Sequence, residues 1–353
     1  MSQQRQLPGY VYLTPEAAER QAERTRQGLY NLLPDEILWQ TRQKYLEDHG
    51  YLLRPRYRLG WKPSWSGTNI APDFCEDSIV SSRPQVIDAT TVGDNVLVAI
   101  KTVPNHTEEL AITQFLSSFK GRDENHCVAV LEILSDPLEI QGSLMVLPYL
   151  RPYNDPEFTT VGDVMDFIHQ TLEGLVFMHH HRVAHRDIAP PNIMMDGKPL
   201  FPSGHHPVRT NYSPDAVYQL TPLSRAEHPV RYYYVDFGLS VRFPPGSPSL
   251  VVGDVGRDAE VPELSSTVPY DAFKADIYAL GNLYDKEFEQ RQPELRRSPK
   301  ELLSLFKQIR GALNKNAPGW RLASKSESAH ERLLNDTVAI ALGGISSLRR
   351  YVG

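Results

Sequence analysis

The sequence has few cysteines and no long apolar segment. Its 353 residues include two cysteines, Cys75 and Cys127, with no CxxC spacing. This excludes a disulfide framework or a cysteine zinc site and suits a reducing compartment. No apolar run approaches the roughly 18 residues of a transmembrane helix, and the polar first 30 residues are unlike a secretory signal. We therefore expect a cytoplasmic or nuclear protein with no membrane partner.

The chain also lacks a strong excess of either charge. Its net charge is −6, with 41% hydrophobic and 23% charged residues, as in an ordinary globular protein. Because there is no basic excess, we expect no nucleic-acid partner. The length fits one two-lobed domain of about 250 residues with an extension.

The sequence does contain an ordered set of polar residues in its second half. His185-Arg186-Asp187 is followed by Asn192 in the string HRDIAPPN, and Asp236-Phe237-Gly238 comes later. Phosphoryl transfer from Mg-ATP needs a carboxylate to orient the acceptor hydroxyl, and an amide and a carboxylate to hold metal ions. We predict Asp187 for the first role and Asn192 and Asp236 as ligands of Mg²⁺, or of Mn²⁺ in its place.

This combination resembles the eukaryotic protein kinase superfamily. The stretches FLSS, NHCVAVLEIL and HRDIAPPNIMMD resemble, more narrowly, a divergent group of kinase-like proteins from mushroom-forming fungi. The resemblance runs from about Pro84 to about Arg321. It implies ATP as cofactor and a two-lobed α+β fold, with a small antiparallel-sheet lobe carrying one helix and a larger, mainly helical lobe. The expected parts are an extension at 1–66, the small lobe at 67–147, the hinge and large lobe at 148–335 with an insertion at 197–231, and a tail at 336–353.

The small lobe is visible as a strand pattern. Residues 86–92, 96–101 and 143–147 read as strands. The second of them, VLVAIK, matches the strand in which protein kinases carry a phosphate-binding lysine, here Lys101. By resemblance, the adenine contacts are Ala99, the gatekeeper Leu147, the Pro148 carbonyl, the Leu150 N–H and, as floor, Met194.

A helix from about Thr107 to Ser118 should supply an acid that pairs with Lys101. Glu108 and Glu109 are the candidates. The spacing to Ile112 favours Glu108, whereas the family resemblance favours Glu109, which we prefer.

Further matches lie in the second half. Residues 160–180 have the apolar periodicity of a long helix. Val261-Pro262-Glu263 resembles the motif that closes a kinase activation segment, here residues 236–263. The resemblance implies that Asp276, which begins the string DIYALG, braces the HRD backbone, and that Arg321 pairs with Glu263.

The activation segment offers several regulatory groups. Arg186 precedes the catalytic aspartate and, in such kinases, pairs with a phosphorylated or acidic residue of this segment. The candidates are the serines Ser240, Ser247 and Ser249 and the fixed acids Asp254 and Asp258.

Two departures from the kinase pattern bear on activity. Residues 79–84, where a glycine-rich phosphate loop is expected, contain no glycine. The catalytic loop, residues 185–192, has Ala189 where Ser/Thr kinases have a lysine that stabilises the transferred phosphoryl group.

Three functions are compatible with these residues. Retention of the four polar groups, Lys101, Asp187, Asn192 and Asp236, favours an active protein kinase of Ser/Thr type acting on an unidentified protein. The departures favour the alternative, a pseudokinase that binds nucleotide or protein as a scaffold. A small-molecule phosphotransferase is a third reading.

Outside the kinase-like part, the extension and the insertion are harder to interpret. Residues 1–30 offer little periodic apolar surface and predict poor order. A helix capped by Asp35 should place Ile37, Leu38, Tyr45 and Leu46 on one apolar stripe and stop at Gly50. The segment 51–62 has four basic residues, no acid and several aromatics. It is either a docking strip for an acidic partner or, as we prefer, an arm that packs its aromatics while its arginines stay in solvent.

The insertion, residues 197–231, either docks substrates or is tolerated surface, which we favour.

Overall fold

The computed structural model describes residues 7–81 and 83–290, which form two compact units. The first unit takes in the described residues of Met1–Pro104 together with Leu131–Tyr149 and Lys198–Leu223. The second takes in Asn105–Val130, Leu150–Gly197 and the described part of Ser224–Gly353. No helix within these described ranges is long and apolar enough to cross a membrane.

The first unit is built on a five-stranded antiparallel sheet. Its strands are β1 (Tyr51–Leu53), β2 (Val86–Thr91), β3 (Leu97–Pro104), β4 (Glu132–Ser135) and β5 (Gly142–Pro148), in the spatial order β1-β2-β3-β5-β4. On β3, Val98, Ile100 and Val103 are buried and alternate with half-buried residues, as expected for a strand with one face on the core. The three predicted strands correspond to β2, β3 and β5. The sequence pattern does not predict β1 or β4.

The N-terminal extension contains a helix that apolar periodicity does not reveal. Helix α1 spans Pro15–Arg26, and Thr14 Oγ1 caps it by accepting the Ala17 N–H at 3.4 Å. No residue of α1 is buried. The helix is held instead by a hydrogen bond of 3.0 Å from Trp65 Nε1 to Thr25 Oγ1. The expectation that residues 1–30 are poorly ordered is therefore wrong for this helix.

Helix α2 (Pro34–Asp48) turns a largely polar face inward. The predicted apolar stripe is right for Leu46 and Tyr45, which pack on the core, and wrong for Ile37 and Leu38, which are 49% and 50% exposed. Arg42 Nη2 lies 2.7 Å from Asp136 Oδ2, with both side chains buried. This ion pair with a residue distant in sequence therefore fixes the orientation of the helix together with Trp39 and Leu46, which pack in the core of the unit. Its buried residues are Glu36, Trp39, Arg42, Gln43 and Leu46.

The basic segment 51–62 is folded into the first unit. Arg54 Nε donates to Asp88 Oδ2 at 2.8 Å. Arg56 donates from Nε and Nη2 to the two oxygens of Glu36, at 2.6 and 2.8 Å. Both arginines are buried, so the expectation that the arm keeps its arginines in solvent is wrong for them. Arg58 and Lys62 are exposed.

Part of the insertion is packed, since Leu200, Phe201, Ala216 and Val217 are buried, and the preference for tolerated surface stays a prediction. His206 is fully buried in the first unit. Its Nδ1 accepts the N–H groups of Val208 and Arg209 at 3.1 and 2.9 Å. The ring proton therefore lies on Nε2, which is 3.5 Å from Glu76 Oε1. The buried imidazole thus anchors the turn at Val208 and Arg209 inside the insertion, with Nε2 facing the Glu76 carboxylate.

Replacing His206 by alanine is expected to lower the free energy of unfolding by about 1–3 kcal/mol, because two backbone N–H groups lose their acceptor. Urea denaturation followed by tryptophan fluorescence measures this change. Ser203→Ala, at an exposed position of the same insertion, should stay within about 0.5 kcal/mol. Equal effects of the two substitutions would contradict an anchoring role for His206.

The second unit is mainly helical, with short strands. Its helices are α3 (Glu109–Ser117), α4 (Val161–His180) and α5 (Ala272–Tyr284). Its strands are β6 (Arg151–Pro152), β7 (Val183–Ala184), β8 (Ile193–Met195), β9 (Tyr232–Tyr234), β10 (Val241–Arg242), β11 (Leu250–Gly253) and β12 (Ser265–Asp271). The predicted long helix corresponds to α4, which Thr160 caps by accepting the Asp163 N–H at 3.1 Å. Its face buries Val164, Ile168, Leu172, Leu175 and Met178.

Candidate functional site

The catalytic loop between β7 and β8 is held in place by helix α5. Asp276 accepts the backbone N–H groups of His185 and Arg186, each at 2.7 Å. Its carboxylate also lies 3.0 Å from His179 Nε2. Arg186 has a φ of 65°, a left-handed conformation that a non-glycine residue keeps only when its surroundings hold it there. Asp276 provides that support, and the predicted brace on the HRD backbone is confirmed.

Asn192 holds the Asp187 carboxylate in place, and its amide oxygen Oδ1 can accept a further contact. Its Nδ2 donates to the Asp187 carbonyl oxygen and to Asp187 Oδ2, both at 2.7 Å. Since both amide hydrogens are used on Asp187, the amide oxygen Oδ1 faces other partners as an acceptor. Amide and carboxylate oxygens are ligands that suit Mg²⁺. This donor set fits the metal role predicted for Asn192.

A second group of oxygens surrounds the start of the activation segment. A Cβ at Gly238 would lie 3.3 Å from Asp236 Oδ1 and 3.4 Å from Glu109 Oε2. Glycine at this position therefore lets two carboxylates approach the same point. Glu109 is buried at the start of α3, whereas Glu108 is exposed. Of the two candidate acids, Glu109 is the one beside Asp236.

The predicted nucleotide-binding residues of the first unit lie on two paired strands. Ala99 of β3 faces Leu147 of β5 in the register, and Lys101 faces Met145. Pro148 ends β5. Three of the five predicted adenine contacts are thus neighbours in one sheet. The other two belong to the second unit, where Leu150 is buried and Met194 lies half-buried on β8.

The chain near the expected glycine-rich loop is tied down through its backbone. Ile79 O accepts from Arg54 Nη1 at 2.8 Å, and the Ser81 N–H donates to the Tyr57 hydroxyl at 3.4 Å. Burial raises the pKa of Tyr57 to about 12, which keeps this phenol neutral at physiological pH. Ser82 lies outside the described residues. The described part of this segment has no glycine to bring its N–H groups close to a phosphate.

The regulatory candidates differ in their surroundings. Arg186 donates from its two terminal nitrogens to the carbonyl oxygens of Leu239 and Val252, both at 3.3 Å. Ser240 is buried and donates to His185 O at 3.0 Å, so a modifying enzyme could not reach it in this conformation. Ser247 and Ser249 are half-buried, and Asp254 is exposed.

The structure places one residue at this site that the sequence analysis missed. Arg257 donates its backbone N–H to Asp187 Oδ1 at 2.7 Å and its Nε to Asp187 Oδ2 at 3.1 Å. Its Nη2 lies 3.8 Å from Asp236 Oδ2. Arg242 and Arg257 are the two basic residues of the activation segment. The absence of a lysine or arginine between Asp187 and Asn192 is the signal in the sequence that points to these two residues.

A comparison with known families agrees with this geometry. Residues 82–337, well over half of the 353-residue chain, match the family described as protein kinase domain. The match confirms the predicted α+β fold with a small antiparallel sheet lobe. Arg321 and the expected tail at 336–353 lie outside the described residues.

Proposed function

Because the chain belongs to the protein kinase family, we propose that it transfers the γ-phosphoryl group of Mg-ATP to a hydroxyl group of a protein, with serine or threonine as acceptor. The observation that carries the proposal is the pair of hydrogen bonds of 2.7 Å that Asn192 Nδ2 donates to Asp187. They hold the Asp187 carboxylate and the Asn192 amide oxygen in fixed positions. Asp236 supplies the further carboxylate that phosphoryl transfer requires.

Each of these residues has a distinct task in the reaction. Asp187 orients the acceptor hydroxyl and takes its proton. The acceptor oxygen forms a bond to the γ-phosphorus while the bond from that phosphorus to the β,γ-bridging oxygen breaks, and the electron pair leaves with ADP. Asn192 and Asp236 hold Mg²⁺, which when bound neutralises charge on the phosphate oxygens. Lys101 binds the α- and β-phosphates by charge.

A scaffold function without turnover is the second candidate. It is supported by the segment 79–84, whose described residues carry no glycine and whose Ser81 N–H is already bound to Tyr57. Retention of the Asn192 amide, which is buried, together with the Asp236 carboxylate, which is half-buried, speaks against it, because a scaffold has no need of this pair of metal ligands. A small-molecule phosphotransferase is less well supported, because the brace from Asp276 is part of the DIYALG string that resembles protein kinases.

Transfer of radiolabelled γ-phosphoryl from ATP separates these functions. Wild type should label serine or threonine in mixed protein acceptors in the presence of Mg²⁺ or Mn²⁺, and Asp187→Asn should not. Label found only in sugars, choline-type alcohols or other small acceptors would overturn the protein-kinase proposal. Nucleotide binding without transfer to any acceptor would establish the scaffold function instead.

A further inference from the structure

The catalytic loop lacks the positive charge that phosphoryl transfer calls for. Between Asp187 and Asn192 the chain reads Ile-Ala-Pro-Pro, so no side chain there carries charge. In the transition state, negative charge is spread over the oxygens of the transferred group. A cation fixed beside those oxygens before the reaction is among the strongest sources of catalysis. An active enzyme with this loop therefore needs a cation from another segment beside the transferred phosphoryl group.

Arg257 is the cation that the activation segment brings to this point. Its side chain lies near both carboxylates of the candidate site, with Nε 3.1 Å from Asp187 Oδ2 and Nη2 3.8 Å from Asp236 Oδ2. The side chain is nevertheless 52% exposed. Among the described residues, its Nη1 has no hydrogen-bond partner. The guanidinium group thus retains donors for phosphate oxygens, which it binds well because its geometry matches theirs.

The backbone on both sides of Arg257 is fixed. The hydrogen bond of 2.7 Å from its own N–H to Asp187 Oδ1 holds the base of the side chain at the catalytic loop. One residue earlier, the backbone at Gly256 packs against the catalytic loop, since a Cβ there would be in van der Waals contact with Arg186 O at 3.4 Å. One residue later, Asp258 accepts from Asn282 Nδ2 at 2.9 Å and from Lys286 Nζ at 3.2 Å. Such fixation is what electrostatic catalysis needs, because a mobile cation must be ordered during the reaction.

We propose that Arg257 is a catalytic residue that binds the transferred γ-phosphoryl group and replaces the cation missing at Ala189. The inference rests on the proposed kinase function and deepens it. As the acceptor oxygen bonds to the γ-phosphorus and the bond to the ADP oxygen breaks, the Nη groups donate to the equatorial phosphoryl oxygens. Nε stays on Asp187, which takes the acceptor proton. An arginine acting in this manner stabilises the transition state more than bound ATP, so its loss lowers kcat rather than raising KM.

The test compares ADP release by wild type, Arg257→Ala, Arg257→Lys and a matched control, Arg242→Ala. Arg242 belongs to the same segment, is exposed, and stacks on Phe115 with its Cζ 3.4 Å from the ring centroid. Arg257→Ala should lower kcat by about 10²–10³-fold with little change in the KM for ATP. Arg257→Lys should retain part of the rate, and millimolar guanidinium should partly restore Arg257→Ala. Arg242→Ala should keep the wild-type rate and show no response to guanidinium.

Three results would overturn the inference. If Arg257→Ala is as fast as wild type or faster, the arginine is a clamp on Asp187, and the kinase proposal survives without it. If Arg257→Ala is slow, yet neither lysine nor guanidinium helps and its melting temperature falls, the residue only supports the fold. If no variant and no wild-type preparation releases ADP, the proposed function fails and the inference falls with it.

Discussion

Replacing Asp236 by asparagine is expected to lower kcat by about 10³-fold or more, equivalent to about 4 kcal/mol of transition-state stabilisation. Asparagine keeps the size of the side chain and removes its charge, so the loss reports on metal binding and not on packing. The side chain is 35% exposed, which leaves it accessible to Mg-ATP.

The Asp236→Asn prediction is best measured as ADP release over a range of Mg²⁺ concentrations. The variant should need more Mg²⁺ for its residual rate and should lose the rise in melting temperature that Mg-ATP gives wild type. Glu260→Gln is the matched control, since Glu260 is an exposed acid of the same segment. If Asp236→Asn and Glu260→Gln behave alike, Asp236 is not a metal ligand.

Replacing Arg56 by alanine is expected to lower the free energy of unfolding by about 3–5 kcal/mol, because Glu36 would remain buried without a counter-charge. Glu36 and Arg56 are 4% and 1% exposed, and their two hydrogen bonds measure 2.6 and 2.8 Å. Burial acts to raise the pKa of the Glu36 carboxyl, but the hydrogen bonds and charge of Arg56 bring that pKa below its ordinary value. The pair therefore stabilises the fold at neutral pH, and this contribution is lost as pH falls through the lowered pKa.

The pH dependence separates this explanation from a general packing loss. Without Arg56, burial would raise the pKa of Glu36, so in Arg56→Ala the carboxyl would become neutral on mild acidification. The destabilisation relative to wild type should then shrink as pH falls towards 4–5, a window set by the ordinary glutamate pKa of about 4.3. Arg26→Ala, at an exposed pair with Glu23, should cost at most about 1 kcal/mol. A destabilisation by Arg56→Ala that is small, or that is constant with pH, would contradict this account.

The sequence predicted the elements that depend on local pattern. Strands β2, β3 and β5 and helix α4 follow from apolar periodicity and turn or cap residues. The brace from Asp276 followed from the family resemblance. The strands and the helix depend on short stretches of sequence, and the brace depends on a motif shared across a family. Both can be predicted without knowing which distant residues are in contact.

The sequence did not predict the features that depend on distant charges. Helix α2 is oriented by an ion pair between residues 94 positions apart, Arg42 and Asp136. Arg54 and Asp88, also paired, are separated by 34 positions. Nothing in a basic segment shows which acids will neutralise it after folding. The same limit applies at the candidate site, where Arg257 meets Asp187 from 70 positions away.

The most direct test of the central claim is ADP release by wild type, Asp187→Asn and Asp236→Asn, assayed with Mg²⁺ or Mn²⁺ and mixed protein acceptors. The account predicts turnover by wild type that both substitutions abolish while the melting temperature of each protein is preserved. Turnover that persists in Asp187→Asn, or a wild type that binds Mg-ATP and never releases ADP, would contradict it.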